Sequence, residues 1–390
     1  MPINRIGKSM TAAQITSGVP RAIDAGFGVI KFTRAKDPDL KTSKPGDVVC
    51  DSFLSMAIAV DKLQIEVDNS SRRDSHLVSY GGESFEVGKG VVHNLVASDF
   101  GRDMTDKYYD SKVYHALMRG ALASIDEPVI TTLVLGLPMN HFENKERIAK
   151  LCSEYTGPIE LGSGKTVNIL KTIVHPQPMG GYLSLGHEID GINEALKSYP
   201  KCGIEPLKGP ADLQNLNVLV VDPGEFTLDW LMMTPSGPAQ RVSNAISDAG
   251  RHRVLRDVHK MLSAEINRPL GVSFYTAIDE ALRTKKPIRI GGLAYRLDTK
   301  EYQAIIDKAV EDPVRQLLEG LRGADDRVDL VAVLGGSPIE IADAIRRARP
   351  NLPLFVPSEL TGQRASMFAN LRGFQEWAAV VDARTASETV

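Results

Sequence analysis

Two short strings constrain this chain more than anything else in it. Ile23-Asp24-Ala25-Gly26-Phe27-Gly28-Val29-Ile30-Lys31 and Val221-Asp222-Pro223-Gly224-Glu225-Phe226-Thr227-Leu228-Asp229 each run from apolar strand residues into an aspartate, a glycine turn and a returning strand. Recurring after about 200 residues, they read as a duplicated domain core rather than a short-period array. With 390 residues, 43% of them hydrophobic and 24% charged, the chain is too long for one core. Two domains with a cleft between them are the expectation.

The intervening sequence supplies helices and strands in alternation. Leu77 to Val87 alternates apolar and polar residues around Gly81-Gly82, a hairpin pattern. Val113, Ala116, Leu117, Gly120 and Ala121 follow helical spacing and lead into the apolar, β-branched run Val129 to Leu137, a buried strand. After a polar connection from Ser198 to Asn215, the order restarts with the strand Val218 to Val221, helices around Val254 to Leu262 and from Tyr302 to Leu321, and the strand Leu330 to Leu334. Such alternation predicts sheets flanked by helices. The apolar patch Trp377 to Val381 reads as part of a packed terminal helix.

Three segments carry chemistry. In the first, glycines let backbone N–H groups approach phosphate oxygens, and Lys31 supplies a point charge; the same residues would also make an ordinary hairpin. In the second, Asp222 and Asp229 can hold a hydrated Mg²⁺, which needs only one or two protein oxygens, although a solvated turn has the same composition. The third, Val333-Leu334-Gly335-Gly336-Ser337-Pro338-Ile339-Glu340, is a strand, a Gly-Gly turn and a helix start. Ser337 and Glu340 have capping-box spacing and Pro338 suits the first helical position, so helix-start amides would face outward or simply join strand to helix.

Taken in order, these segments resemble the phosphate 1, phosphate 2 and adenosine motifs of the actin, sugar-kinase and heat-shock-chaperone ATPase superfamily. Within it, Val134-Leu135-Gly136-Leu137-Pro138 and Ala369-Asn370-Leu371-Arg372-Gly373-Phe374 resemble the plasmid-segregation actin-like ATPases of the ParM/StbA kind. The resemblance implies an α/β fold of two actin-like, ribonuclease-H-like domains flanking a nucleotide cleft. It implies ATP and Mg²⁺ as cofactors, with Asp24 and Asp222 at the metal and Gly26, Phe27, Gly28, Lys31, Gly224, Glu225 and Thr227 about the phosphates. Gly335, Gly336 and Ser337 would line the nucleoside. Gly250 lies in Ala249-Gly250-Arg251, which resembles a further cleft segment of the family.

Gln177, in His175-Pro176-Gln177-Pro178-Met179-Gly180-Gly181-Tyr182, stands where the family places a residue that orients the attacking water, and it could instead cap the helix that follows. The chain departs from the family at Pro223 and Phe226, where small residues are usual, and at Glu225, a carboxylate beside the expected phosphate. Proline removes a backbone donor, and the carboxylate repels phosphate unless a cation intervenes.

The implied function is an ATPase that forms filaments of itself with ATP and segregates plasmid DNA through a DNA-binding adaptor at a plasmid centromere. A non-polymerising scaffold of cell division or pilus assembly and, further off, a small-molecule kinase are the alternatives. A formal charge of -3 without a basic block argues against direct sequence-specific DNA binding. Three widely spaced cysteines suggest no disulfide framework, and no apolar run is long enough for export or a membrane span, so a cytoplasmic protein is expected. Gly162-Ser163-Gly164-Lys165-Thr166 imitates the end of a P-loop, but its first glycine would fall at Ile159 and strand residues follow; it reads as a hairpin turn. The expected domains span residues 19–185, joined by 366–390, and residues 186–365, after an extension at residues 1–18.

Overall fold

The computed structural model describes residues 18–36, 48–60, 74–93, 107–162, 164–271, 273–321, 323–357 and 366–388. The extension expected at the N-terminus, apart from residue 18, lies outside them, as do residues 389 and 390.

Each half of the chain builds a mixed sheet around a largely buried central strand. In the first half the order is β3-β2-β1-β7-β9-β8, with β1 (Val19–Ala25), β2 (Val29–Ala35), β3 (Val48–Leu54), β7 (Val129–Leu137), β8 (Gly157–Gly162) and β9 (Lys165–Pro176). A small three-stranded sheet of β4 (Ala57–Ala59), β5 (Ser75–Tyr80) and β6 (Glu83–Gly88) sits beside it, and β5–β6 is the hairpin expected at residues 77–87. In the second half the order is β12-β11-β10-β16-β17, with β10 (Val218–Pro223), β11 (Thr227–Thr234), β12 (Gly237–Pro238), β16 (Leu330–Val333) and β17 (Leu354–Phe355), and β13 (Asn244–Ser247) pairs with β11. The short hairpin of β14 (Ile288–Ile290) and β15 (Leu293–Tyr295) stands apart.

The duplication read in sequence is a duplication of topology. β1 pairs antiparallel with β2 and parallel with β7, as β10 does with β11 and β16. All six residues of β10 are buried, as a strand covered on both faces requires. The segment that imitates a P-loop falls where β8 ends at Gly162 and β9 begins at Lys165, and the two strands pair antiparallel, a hairpin as expected.

Helices cover the sheets. α1 (Lys112–Ile125) begins at Ser111, whose hydroxyl oxygen accepts from the Tyr114 N–H, and it buries Leu117, Ala121 and Leu122 against β1, β2 and β6. α2 (Gln177–Ser184) links the halves, and α3 (Arg251–Glu265), α4 (Phe274–Thr284), α5 (Lys300–Gly320) and α6 (Pro338–Ala348) follow in the second. α7 (Ala369–Glu388) returns to β1 and β7, where Leu371, Phe374 and Ala378 pack with Ala22 and Val134. It crosses α2 at a glycine contact: a Cβ on Gly373 would lie 1.9 Å from the Gly180 carbonyl oxygen.

Candidate functional site

The two Asp-x-Gly strings form the same turn. Gly26 N–H donates to Val29 O at 3.2 Å, and Gly224 N–H donates to Thr227 O at 2.9 Å. Across each hairpin the aspartate faces a fixed partner: Asp24 opposite Lys31, and Asp222 opposite Asp229. The two turns meet where the halves approach. Phe27 and Phe226 pack with ring centroids 5.3 Å apart, and a Cβ on Gly28 would lie 2.9 Å from the Glu225 side chain. The bulky Phe226 thus bridges to the opposite loop.

Each aspartate occupies space opened by a glycine on the neighbouring parallel strand or the turn that continues it. A Cβ on Gly136 would stand 2.9 Å from Asp24 Oδ1, and one on Gly335 would stand 2.2 Å from Asp222 Oδ1. Gly335 also has φ +104°, which side chains on an L-residue rarely adopt. A carboxamide from a crossing helix then holds each carboxylate. Gln177 Nε2, on α2, donates to Asp24 Oδ1 at 2.7 Å, and Asn370 Nδ2, on α7, donates to Asp222 Oδ2 at 2.6 Å.

The electrostatics of the two hairpins differ. Lys31 Nζ lies 2.8 Å from Asp24 Oδ2; burial opposes its charge, but Asp24 and Asp222 outweigh that and hold its pKa above the usual lysine value. Asp222, 5% exposed, is pushed up to about 6 by burial and by Asp24, against the pull of Lys31 and Asn370. Asp229, 1% exposed, rises to about 7 through burial and the neighbouring Asp222. Its carboxylate accepts from the Thr227 hydroxyl and, at 2.6 Å, from the Met139 N–H of the first half.

A cavity of about 440 Å³ opens between the halves, lined by Gly26, Phe27, Gly28, Lys31, Gln177, Asp222, Gly224, Glu225, Thr227, Gly336 and Ser337 among the residues expected from sequence. Asp24, Gly250 and Gly335 are not on its wall. Asp24 is fully buried behind it with both oxygens engaged, so it positions Lys31 and Gln177. Gly250 supports the second loop from beneath: a Cβ there would lie 2.5 Å from Gly224 O. The next amides, at Arg251 and His252, donate to Gly224 O and Glu225 O at 3.0 and 2.8 Å, so the start of α3 is spent on that loop.

Two local expectations are corrected. Ser337 is the N-cap of α6, but its side chain makes no cap hydrogen bond, because Glu340, the other half of the expected capping box, is turned to Arg251 Nη1 at 2.7 Å. Gln177 does not cap α2; it is the first helical residue, after Pro176, and its amide reaches Asp24.

Sequence reading missed the far wall of the cavity. Arg251, Thr276, Asp279 and Arg283 line it, and Asp279 joins the two arginines, accepting from Arg251 Nε at 2.8 Å and from Arg283 Nε at 2.9 Å. Thr276, Asp279 and Arg283 share one face of α4 at helical spacing, the one local signal that marks them. Tyr109 was missed as well; it lines the cavity from the first half.

Paired sheets of this topology, joined by crossing helices over a cleft with an Asp-Gly turn from each side, define the actin-like fold. Residues 22–180 match the family described as actin like proteins, N terminal domain. The archaeal actin homolog Ta0583, in complex with ADP, superposes with a TM-score of 0.65 at 18% identity, over 93% of this chain and 99% of that one. The non-polymerisable quadruple mutant of pCBH ParM gives 0.64 at 16% identity, over the same 93% and 99%. A ParM from a 15-stranded filament of Clostridium botulinum gives 0.62 at 16% identity, again over 93% and 99%. No curated protein matches the chain in sequence. Among the described residues no helix is long and apolar enough to cross a membrane.

Proposed function

We propose that this chain is an actin-like ATPase that binds Mg-ATP in the 440 Å³ cavity, assembles into filaments of itself, and moves plasmid DNA through a DNA-binding adaptor. The observation that carries the reading is the meeting of two equivalent Asp-Gly hairpins, one from each half, over one cavity. Its residues fit the ligands. The turns leave backbone room for phosphates, and Asp222 on the wall offers a carboxylate oxygen to a hydrated divalent cation. When bound, ATP supplies the transferable phosphoryl group and Mg²⁺ neutralises its charge.

The chain's own residues then have distinct tasks. Lys31 and the glycine turns hold phosphate oxygens, and Asp24 holds Lys31 and Gln177 in place. Gln177, buried and on the wall, orients water. The Arg251–Asp279–Arg283 group closes the end beside Ser337, where a nucleoside would lie. Because both halves contribute to one ligand, a triphosphate that touches both hairpins favours the closed arrangement more than a diphosphate does, and only that difference can shift the equilibrium.

The ADP complex of the archaeal homolog and the filaments of the Clostridium ParM and of AlfA from a Bacillus subtilis plasmid support extending nucleotide binding and assembly to this chain. Sedimentation and electron microscopy of the purified protein test it. Polymer is expected with Mg-ATP or a non-hydrolysable analogue and mostly free protein with ADP. A chain that hydrolyses ATP yet stays monomeric at every concentration, with its genetic neighbours present, is a scaffold instead. Phosphorylation of a small acceptor would make it a kinase.

A further inference from the structure

Tyr109 carries the one feature of the cavity that the reading above leaves unused. It is 1% exposed, lines the cavity, and its hydroxyl has no hydrogen-bond partner among the described residues. A buried phenol left unpaired is unfavourable, so such a group calls for a partner that the described residues do not supply.

The position of the ring says which part of a ligand that partner is. Tyr109 packs edge-on against Phe27, at the tip of the first glycine turn, with centroids 5.6 Å apart. On its other side it packs 4.6 Å from His141, two residues beyond Met139, whose N–H is bonded to Asp229 of the second hairpin. The ring is therefore set between the tip of the first turn and the segment that is bonded to the second hairpin. Tyr108 and Tyr114 brace the ring at 5.1 and 5.2 Å, which fixes its direction.

We infer that the Tyr109 hydroxyl donates a hydrogen bond to the terminal phosphate of a bound nucleoside triphosphate and so distinguishes triphosphate from diphosphate. Burial, then the neighbouring Tyr108, Tyr114, Asp229 and Asp24, hold its pKa well above the usual tyrosine value, so the phenol keeps the proton that it would donate. The inference rests on the nucleotide reading of the cavity and adds to it a contact from the body of the first domain, outside both turns.

The test is a comparison of Tyr109→Phe with the wild-type full-length chain in Mg²⁺, titrated with a non-hydrolysable ATP analogue and with ADP. A donor to a charged oxygen predicts about a tenfold or greater loss of analogue affinity with ADP affinity within about twofold. The unliganded variant should melt at the same temperature or higher, since phenylalanine keeps the packing and removes the unpaired oxygen. Tyr114→Phe, in the same cluster but off the cavity wall, should change neither affinity. Equal losses for both nucleotides, no loss for either, or a lowered melting temperature would overturn the inference and leave the nucleotide reading standing. If the wild-type chain binds neither nucleotide, both fall together.

Discussion

The two hairpins have one geometry and opposite electrostatics. In the first, a buried aspartate faces a lysine, so the charge is balanced within the chain; in the second, a buried aspartate faces another aspartate, and both pKa values are driven up. Duplication thus preserved the backbone and divided the labour. The first hairpin balances its charge within the chain and presents a cation to the cavity, whereas the second is short of positive charge. On the proposed nucleotide reading, that difference favours a divalent ion beside Asp222 over one beside Asp24.

The sharpest way to break this comparison is to neutralise each aspartate without changing its shape. Asp24→Asn strands the Lys31 ammonium in its niche and should lower the unfolding free energy of the unliganded chain by about 3–5 kcal/mol in a urea titration. Asp222→Asn relieves a repulsion and should leave stability equal or higher while abolishing Mg²⁺-supported hydrolysis. Equal destabilisation by the two would show the hairpins to be electrostatically alike.

A second, somewhat smaller effect concerns pH. Asp222 and Asp229 have folded pKa values above the unfolded carboxylate value of 3.8, so the stability they contribute is fully present below that value and is lost as pH rises through about 6 and 7. The unliganded protein should melt lower at pH 8 than at pH 5. Asp229→Asn should recover about 2 kcal/mol at pH 8, less than the full shift implies because the site relaxes, and should flatten the profile. An unchanged slope in the variant would remove Asp229 as its source. Saturating Mg²⁺ and nucleotide should flatten it too.

The smallest expected effect compares the two carboxamides. Gln177→Ala should slow hydrolysis about tenfold with little change in ATP affinity, because its contact with water matters chiefly in the transition state. Asn370→Ala, which frees Asp222, should raise the Mg²⁺ concentration needed for half-maximal hydrolysis by a few fold and leave the saturated rate nearly intact. Identical profiles for the two variants would mean that both are structural.

How much of this could be read from sequence depended on distance along the chain. The Asp-x-Gly turns are local, and their recurrence revealed both the duplicated topology and about half of the cavity wall. The carboxamide contacts join residues 153 and 148 positions apart, and no local pattern encodes them. The same limit explains Ser337 and Glu340: their spacing is right for a capping box, but Arg251, 89 positions away from Glu340, competes for the carboxylate and wins. Asp229 was visible as a second acid, yet its pairing with Met139 across the cleft was not. Tyr109 lies in a short turn between aromatic neighbours, where sequence gives no hint that one hydroxyl faces inward.

The crossing of α2 and α7 at Gly180 and Gly373 sets peptide against peptide at its point of closest approach. Such a joint has the geometry of an axle: its diameter is fixed by the backbone, and a swing of one half against the other would turn about that fixed centre. A methyl group on either glycine would prise the shafts apart and move the aspartates that Gln177 and Asn370 steady. Side chains far from the axle are under no such constraint, so the outer surfaces of the two halves are free to acquire new neighbours while the joint between them stays the same.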